Sequence, residues 1–354
     1  MLYNKIILWD IMEKYMNISK DLEKIGIFPK SELRIEERNG IARNVADKLC
    51  SNLKELYNSY NELYMRIFNC DMYYADVNEK FGNVFYYYKN NTIYIDSKKD
   101  ISNIDSYIIH ETIHYLQNFS KIDKESNRAG ICQFMEFKLF ALGINEALVQ
   151  YITANALGNK VHRISNEKIT ICTNSENYYK YMTSLIGQIL LLIGKKEAID
   201  SCISSTEKFE DKLYNTFEEN TDRIVKNFDL ILDENNKSDR NEDKIIELYM
   251  QTQEIIYTTY FTKMCKRLTT IKEVDTEVEK LENYSNIVGK LLGITIEEDK
   301  FINFKKDMEG KFLKKYVEIN RSQSRNSLTV VYKNFINNLW NKIINFFQSK
   351  IIKN

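Results

Sequence analysis

A single proline, Pro29, and only 11 glycines in 354 residues leave little to interrupt a helix. Proline removes a backbone donor and clashes with the preceding turn, and glycine loosens the chain, so a sequence nearly free of both accommodates long helices. Apolar residues at three- and four-residue steps then mark where the helices run. Ile41, Val45, Leu49, Leu53, Leu56, Tyr57, Tyr60, Leu63, Tyr64 and Ile67 share one face and predict one long amphipathic helix ending near Cys70. Aromatics at that spacing belong to a core.

The period changes at "NVFYYYKNNTIYID", where two β-prone runs, 83–88 and 92–96, flank an Asn-Asn turn and predict a hairpin. Its second strand leads through "SKKDISNID" into the stretch "YIIHETIHYLQN", a helix for which Ser102 or Asp105 can serve as cap. Beyond it, "ICQFMEFKLFAL" reads as an irregular strand. "NEALVQYITANAL" reads as a helix stopping near Gly158, and "EKITICT" as a short strand. From "NSENYYKYMTSLIGQILLLIG" onward the chain is helical, broken by a polar linker from Asp233 to Asp243. The opening 24 residues predict a further helix. Acidic residues break their apolar run early and no small-residue cleavage site follows, so no secretory signal is expected. The longest uncharged apolar run elsewhere, around 189–194, is too short to cross a bilayer. A folded, cytoplasmic protein is the expectation.

Fifty basic side chains balance fifty acidic ones, which removes any electrostatic argument for a nucleic-acid partner, and none is expected. Cys50, Cys70, Cys132, Cys172, Cys202 and Cys265 are scattered without a C-x-x-C pair, as expected of buried thiols in a reducing compartment.

Two of the three histidines, His110 and His114, stand four residues apart with Glu111 between them. On a helix they share a face, and Glu111 sits about 100° round from His110, beside whatever the pair holds. That is the arrangement of a zinc site with a general base. A hydrolytic zinc takes three protein ligands, so a third is needed. Glu146, in "GINEALVQY", is the best candidate, because a helix, a return segment and a second helix fit the interval. Glu136 is the next.

With "HETIH" followed by "INEAL", the stretch from about residue 83 to 194 resembles the gluzincin class of zinc metallopeptidases. The resemblance implies an α+β fold with a zincin-like metallopeptidase core, a small sheet plus active-site helices. That core would span 75–200 between a helical N-terminal region, 1–74, and a helical C-terminal region, 201–354. It further implies that His110, His114 and Glu146 bind Zn2+ and that Glu111 moves the proton in hydrolysis of a peptide or protein substrate. Strand 92–96 would be the edge that pairs with the substrate. Thermolysin-like members carry an aspartate four residues after the ligand glutamate to orient a zinc histidine. Here that step lands on Gln150, whose carbonyl can accept from an imidazole, with Asn145 as the other candidate. For the oxyanion the class uses a tyrosine or histidine, and Tyr178 and Tyr179 occupy the corresponding place. His162 is a lesser candidate that reads as a surface residue.

From Leu328 to Ile352 a stripe of Val331, Phe335, Leu339, Ile343 and Phe347 runs among charges that are all basic, Lys333, Lys342 and Lys350. Such a helix can dock on a membrane surface, on a partner, or back onto its own protein. Two rival functions follow: a regulatory zincin-fold protein that cleaves one partner or none, and an effector anchored through this tail.

Overall fold

The structure, a computed structural model, describes residues 17–78, 82–119, 128–135, 138–293 and 299–323. Most of the opening segment, Glu136 and the amphipathic tail lie outside these residues. The fold is α+β and mostly helical. A helix at 17–25 (α1) precedes β1 (Ile27–Glu32), α2 (Ile35–Asn52), a 3-10 turn (Lys54–Ser59), α3 (Tyr60–Phe68) and β2 (Asp71–Val77). Then come β3 (Val84–Tyr87), β4 (Thr92–Asp96) and α4 (Ser106–Phe119), followed by the short strands β5 (Arg128–Ala129), β6 (Cys132–Met135) and β7 (Lys138–Phe140). α5 (Leu142–Ala156), β8 (His162–Ser165), β9 (Ile169–Thr173), α6 (Lys180–Ile193) and α7 (Lys196–Ser204) complete the middle of the chain. The remainder is α8 (Lys208–Phe217), α9 (Asn220–Asn235), α10 (Glu242–Arg267), α11 (Ile271–Ile287), β10 (Lys290–Leu291) and α12 (Lys300–Gln323).

The long helix expected up to Cys70 is two helices. Leu53 turns into an extended conformation (φ −119°, ψ 101°) with its side chain fully buried. Next to it, the Asn52 carboxamide donates to Lys48 O and, at the end of α5, to Ala156 O. An asparagine that competes for backbone carbonyls ends a helix. The apolar stripe survives the break, because Leu53, Leu56, Leu63 and Ile67 all remain buried.

The N-terminal region is not wholly helical, since β1 and β2 join the hairpin in a four-stranded sheet of order β1-β2-β4-β3. β2 runs parallel to β4 and the other pairs are antiparallel. This corrects the expected substrate edge: strand 92–96 lies in the sheet interior between β2 and β3, and among the described residues β1 and β3 are the edges. A parallel partner about twenty residues upstream is a non-local pairing that no turn residue announces. The stretch around 132–140 is two antiparallel strands. The boundaries expected at 74/75 and 200/201 fall inside β2 and α7. One buried apolar cluster runs from Leu33 to Ile319 through all three expected regions. Among the described residues no helix is long and apolar enough to cross a membrane.

Candidate metal centre

α4 begins where the Asp105 carboxylate accepts from Ile108 N at 3.2 Å. Its back face, Ile108, Ile109, Ile113 and Leu116, is buried, and Tyr115 donates its hydroxyl to Arg66 O at 3.1 Å. Arg66 in turn donates to Leu116 O at 2.6 Å, which ties α3 to the end of α4. With that face fixed, the four-residue step turns His110 and His114 toward α5.

α5 is seated by a close approach. A Cβ on Gly143 would stand 2.3 Å from the backbone carbon of Phe228 in α9, and Gly143 N donates to the Asp229 carboxylate at 2.7 Å. Ala147, Leu148, Val149 and Ile152 are buried, so the helix cannot rotate without exposing apolar surface. One turn beyond Gly143, Glu146 faces the two imidazoles.

The three groups converge. His110 Nε2 and His114 Nε2 are 3.1 Å apart, and the Glu146 oxygens lie 3.4 Å from the first and 3.3 Å from the second. Each ring's other nitrogen is held by a carboxamide oxygen: His110 Nδ1 by Gln150 Oε1 at 3.0 Å and His114 Nδ1 by Gln117 Oε1 at 3.1 Å. The tautomer that satisfies both contacts carries its proton on Nδ1, leaving two bare Nε2 lone pairs and a carboxylate pointed at one another. Around a tetrahedral zinc with bonds of about 2.0–2.1 Å, donor atoms stand about 3.3–3.4 Å apart. The two Glu146 contacts use different carboxylate oxygens, and with one ligand atom per residue all three lie within 4.8 Å of one another, so the donor set, two imidazoles and a carboxylate, is of the kind that can hold a divalent cation. In its absence only a proton relieves the convergence. Burial works against a charge on His114, yet Glu146 beside it raises its pKa. Burial likewise works against ionised Glu146, and the imidazoles outweigh that and hold its carboxyl well below the usual range.

Around these groups the polar layer is closed. Gln150 Nε2 donates to Ser175 Oγ at 2.9 Å. Gln117 Nε2 donates to Asn145 Oδ1 at 3.0 Å and to Cys202 Sγ at 3.1 Å, while Asn145 Nδ2 returns a bond to Gln117 Oε1 at 3.2 Å. Gly130, at φ +61°, lies over this pair, and a Cβ there would meet Asn145 Oδ1 at 2.3 Å. Both candidates for the outer layer are thus present in different places. Gln150 touches His110 directly, whereas Asn145 acts on His114 only through Gln117.

Glu111 points to the other side, where its carboxylate accepts from Tyr86 N of β3 at 2.9 Å. Asp96 N donates to Asn83 O at 2.8 Å, so the odd-numbered residues of β3 face β4 and Tyr86 faces outward to α4. Burial raises the Glu111 pKa against the opposing pull of His110 and His114. Tyr178 and Tyr179 stand beside the group, their rings edge-on to each other with centroids 4.8 Å apart. The Tyr178 ring lies edge-on to His110 with centroids 6.1 Å apart and to Tyr107 at 6.0 Å. Burial, with Glu111 nearby, pushes the Tyr178 hydroxyl up to about 12, and burial with Glu146 nearby pushes Tyr179 higher still, so both stay protonated donors. His162 is exposed on β8, with Glu176 at 3.5 Å and Lys160 O at 3.2 Å as its polar neighbours.

Nothing in the motif itself marks Gln117 as a site residue. Its signal is the spacing: it follows His114 by three residues and so shares its face. Ser175 offered none, since a serine in a short loop is ordinary. A scan against protein-family models and searches of curated proteins and solved structures find no match to the chain.

Proposed function

We propose that the chain is a zinc-dependent metallopeptidase with a zincin-like core, similar to the gluzincins, acting on a peptide or protein substrate. The observation that carries this reading is the convergence of one ligand atom each from His110, His114 and Glu146, all within 4.8 Å of one another, with Glu111 adjacent and outside the group. When bound, the zinc ion supplies Lewis acidity, making water a stronger acid and a carbonyl a better electrophile.

The residues divide the work. His110, His114 and Glu146 hold the ion, and Gln150 and Gln117 keep the imidazoles aimed at it. Glu111 takes a proton from the water that attacks the carbonyl carbon and delivers it to the nitrogen as the C–N bond breaks. A tyrosine hydroxyl, from Tyr178 or Tyr179, donates to the carbonyl oxygen as negative charge develops there.

Glu111→Gln tests the reading, since the amide keeps the size of the side chain and cannot accept the proton. Zinc should remain, and cleavage of a peptide library should fall about a hundredfold to ten-thousandfold. Equal cleavage by the zinc-loaded variant would refute the mechanism. Zinc binding without cleavage in the unaltered chain would favour the regulatory, non-catalytic reading.

A further inference from the structure

The loop from Asn174 to Tyr179, between β9 and α6, carries the two tyrosines, and it is bonded to the His110 side of the metal centre through one hydroxyl. Ser175 is 5% exposed. Its Oγ accepts from Gln150 Nε2 at 2.9 Å and donates to Tyr178 O at 2.7 Å, using its one proton and one lone pair. Gln150 in turn holds His110 Nδ1. A single chain of contacts therefore runs from the imidazole through a carboxamide and a hydroxyl to the main chain of Tyr178.

The loop needs such a restraint. Tyr179 sits at φ +48°, a left-handed conformation that a bulky residue holds only when its surroundings impose it. Thr183 Oγ1 supplies a second restraint by donating to Tyr179 O at 2.9 Å. Thr173 Oγ1 meets Thr183 Oγ1 at 2.9 Å and accepts from Ser175 N at 3.1 Å. Of these hydroxyls, Ser175 is the one bonded to a residue that also touches a candidate metal ligand.

We propose that Ser175 is a positioning residue that sets Tyr178 relative to His110, so that the group holding the metal ligand and the segment bearing the candidate oxyanion donors are aligned by one hydroxyl. This rests on the metal-centre reading above. It also gives a physical reason for glutamine at 150. A carboxylate would accept from the imidazole equally well, but it has no N–H to hand on to Ser175, and it would draw the serine proton away from Tyr178 O. The carboxamide accepts at one end and donates at the other, which leaves the hydroxyl proton for the loop.

The test compares three variants of the full chain by two measurements: zinc affinity by chelator competition, and backbone amide exchange across 174–180. Ser175→Ala leaves the Gln150 donor unpartnered and frees Tyr178 O, so zinc should weaken by about tenfold and exchange in the loop should rise. Gln150→Glu should bind zinc at least as tightly as the unaltered chain while exchange in the loop rises as it does in Ser175→Ala. Ser175→Cys keeps the size and weakens both bonds, giving intermediate values even if the alanine variant folds poorly. Loop exchange that stays at the unaltered level in folded Ser175→Ala and in Gln150→Glu would overturn the proposal. So would zinc affinity in Ser175→Ala within about twofold of the unaltered protein. Failure of the unaltered chain to bind zinc would instead refute the metal-centre reading itself, and the positioning role with it.

Discussion

Tyr249 and His110 are both buried polar side chains on helices inside the same core, yet their surroundings are built on different plans. The Tyr249 hydroxyl meets Ser184 Oγ at 3.0 Å, accepts from Gln188 Nε2 at 3.0 Å and donates to Gln253 Oε1 at 3.1 Å. Gln253 closes on both backbone groups of Gly289, and Tyr284 donates to Gln188 Oε1 at 2.6 Å. Every donor there has an acceptor, so the cluster needs nothing from outside and joins α6, α10 and α11. At His110 the outer layer is equally closed, but the inner atoms are two imidazole Nε2 and a carboxylate facing one another, with only a proton to join them when no cation is there. Polar burial that satisfies itself is architecture, whereas polar burial that converges lone pairs is a place for a cation.

The comparison breaks most visibly at the ligands. Structural zinc sites carry about 10–16 kcal/mol, so His114→Ala should weaken zinc by on the order of a thousandfold. The metal-free protein should also lose stability, because the substitution takes from the buried Glu146 carboxylate an imidazole that holds its pKa down. Chelator competition and melting of the metal-free form measure the two halves. Next in size, Gln117→Ala should weaken zinc about tenfold to a hundredfold by releasing His114 Nδ1.

In the closed cluster the pattern should differ. Tyr249→Phe removes a hydroxyl that three side chains use, and leaving buried partners unsatisfied costs about 1–3 kcal/mol. Chemical denaturation should register that loss while zinc affinity stays unchanged.

The smallest effect is expected at the α9–α10 junction. Lys237 at 2.8 Å, Asn241 N at 3.0 Å and Lys244 at 3.2 Å hold the Glu234 carboxyl down to about 2 from its ordinary 4.5. A depressed folded-state pKa contributes stability above the unfolded value and loses it as pH falls. Acid unfolding between about pH 4.5 and 2 should therefore be shallower in Glu234→Gln than in the unaltered chain. Identical acid limbs would remove the clamp from the account.

What could be read from the sequence is what short-range geometry fixes. The histidine pair shares a face because of helix pitch, Asp105 caps α4, and an Asn-Asn turn with Asn91 at φ +57° makes the β3–β4 hairpin. Glu146 could be proposed because spacing allowed a second helix to return. β1 and β2 escaped because their pairing partners are distant in the chain, and the break at Leu53 escaped because it goes with a bond from Asn52 to Ala156, more than a hundred residues away. The same limit applies to the site. The ligands announce themselves by type and spacing, while Gln117 and Ser175 gain their roles only from what the fold places against them.

The central claim is the identity of the ligands, and zinc X-ray absorption on the loaded, full-length protein tests it most directly. The account predicts about one zinc per chain with two imidazole nitrogens and carboxylate oxygen at about 2.0–2.2 Å, and loss of one imidazole contribution in His110→Ala. A shell containing sulfur at about 2.3 Å, or one unchanged by His110→Ala, would contradict it.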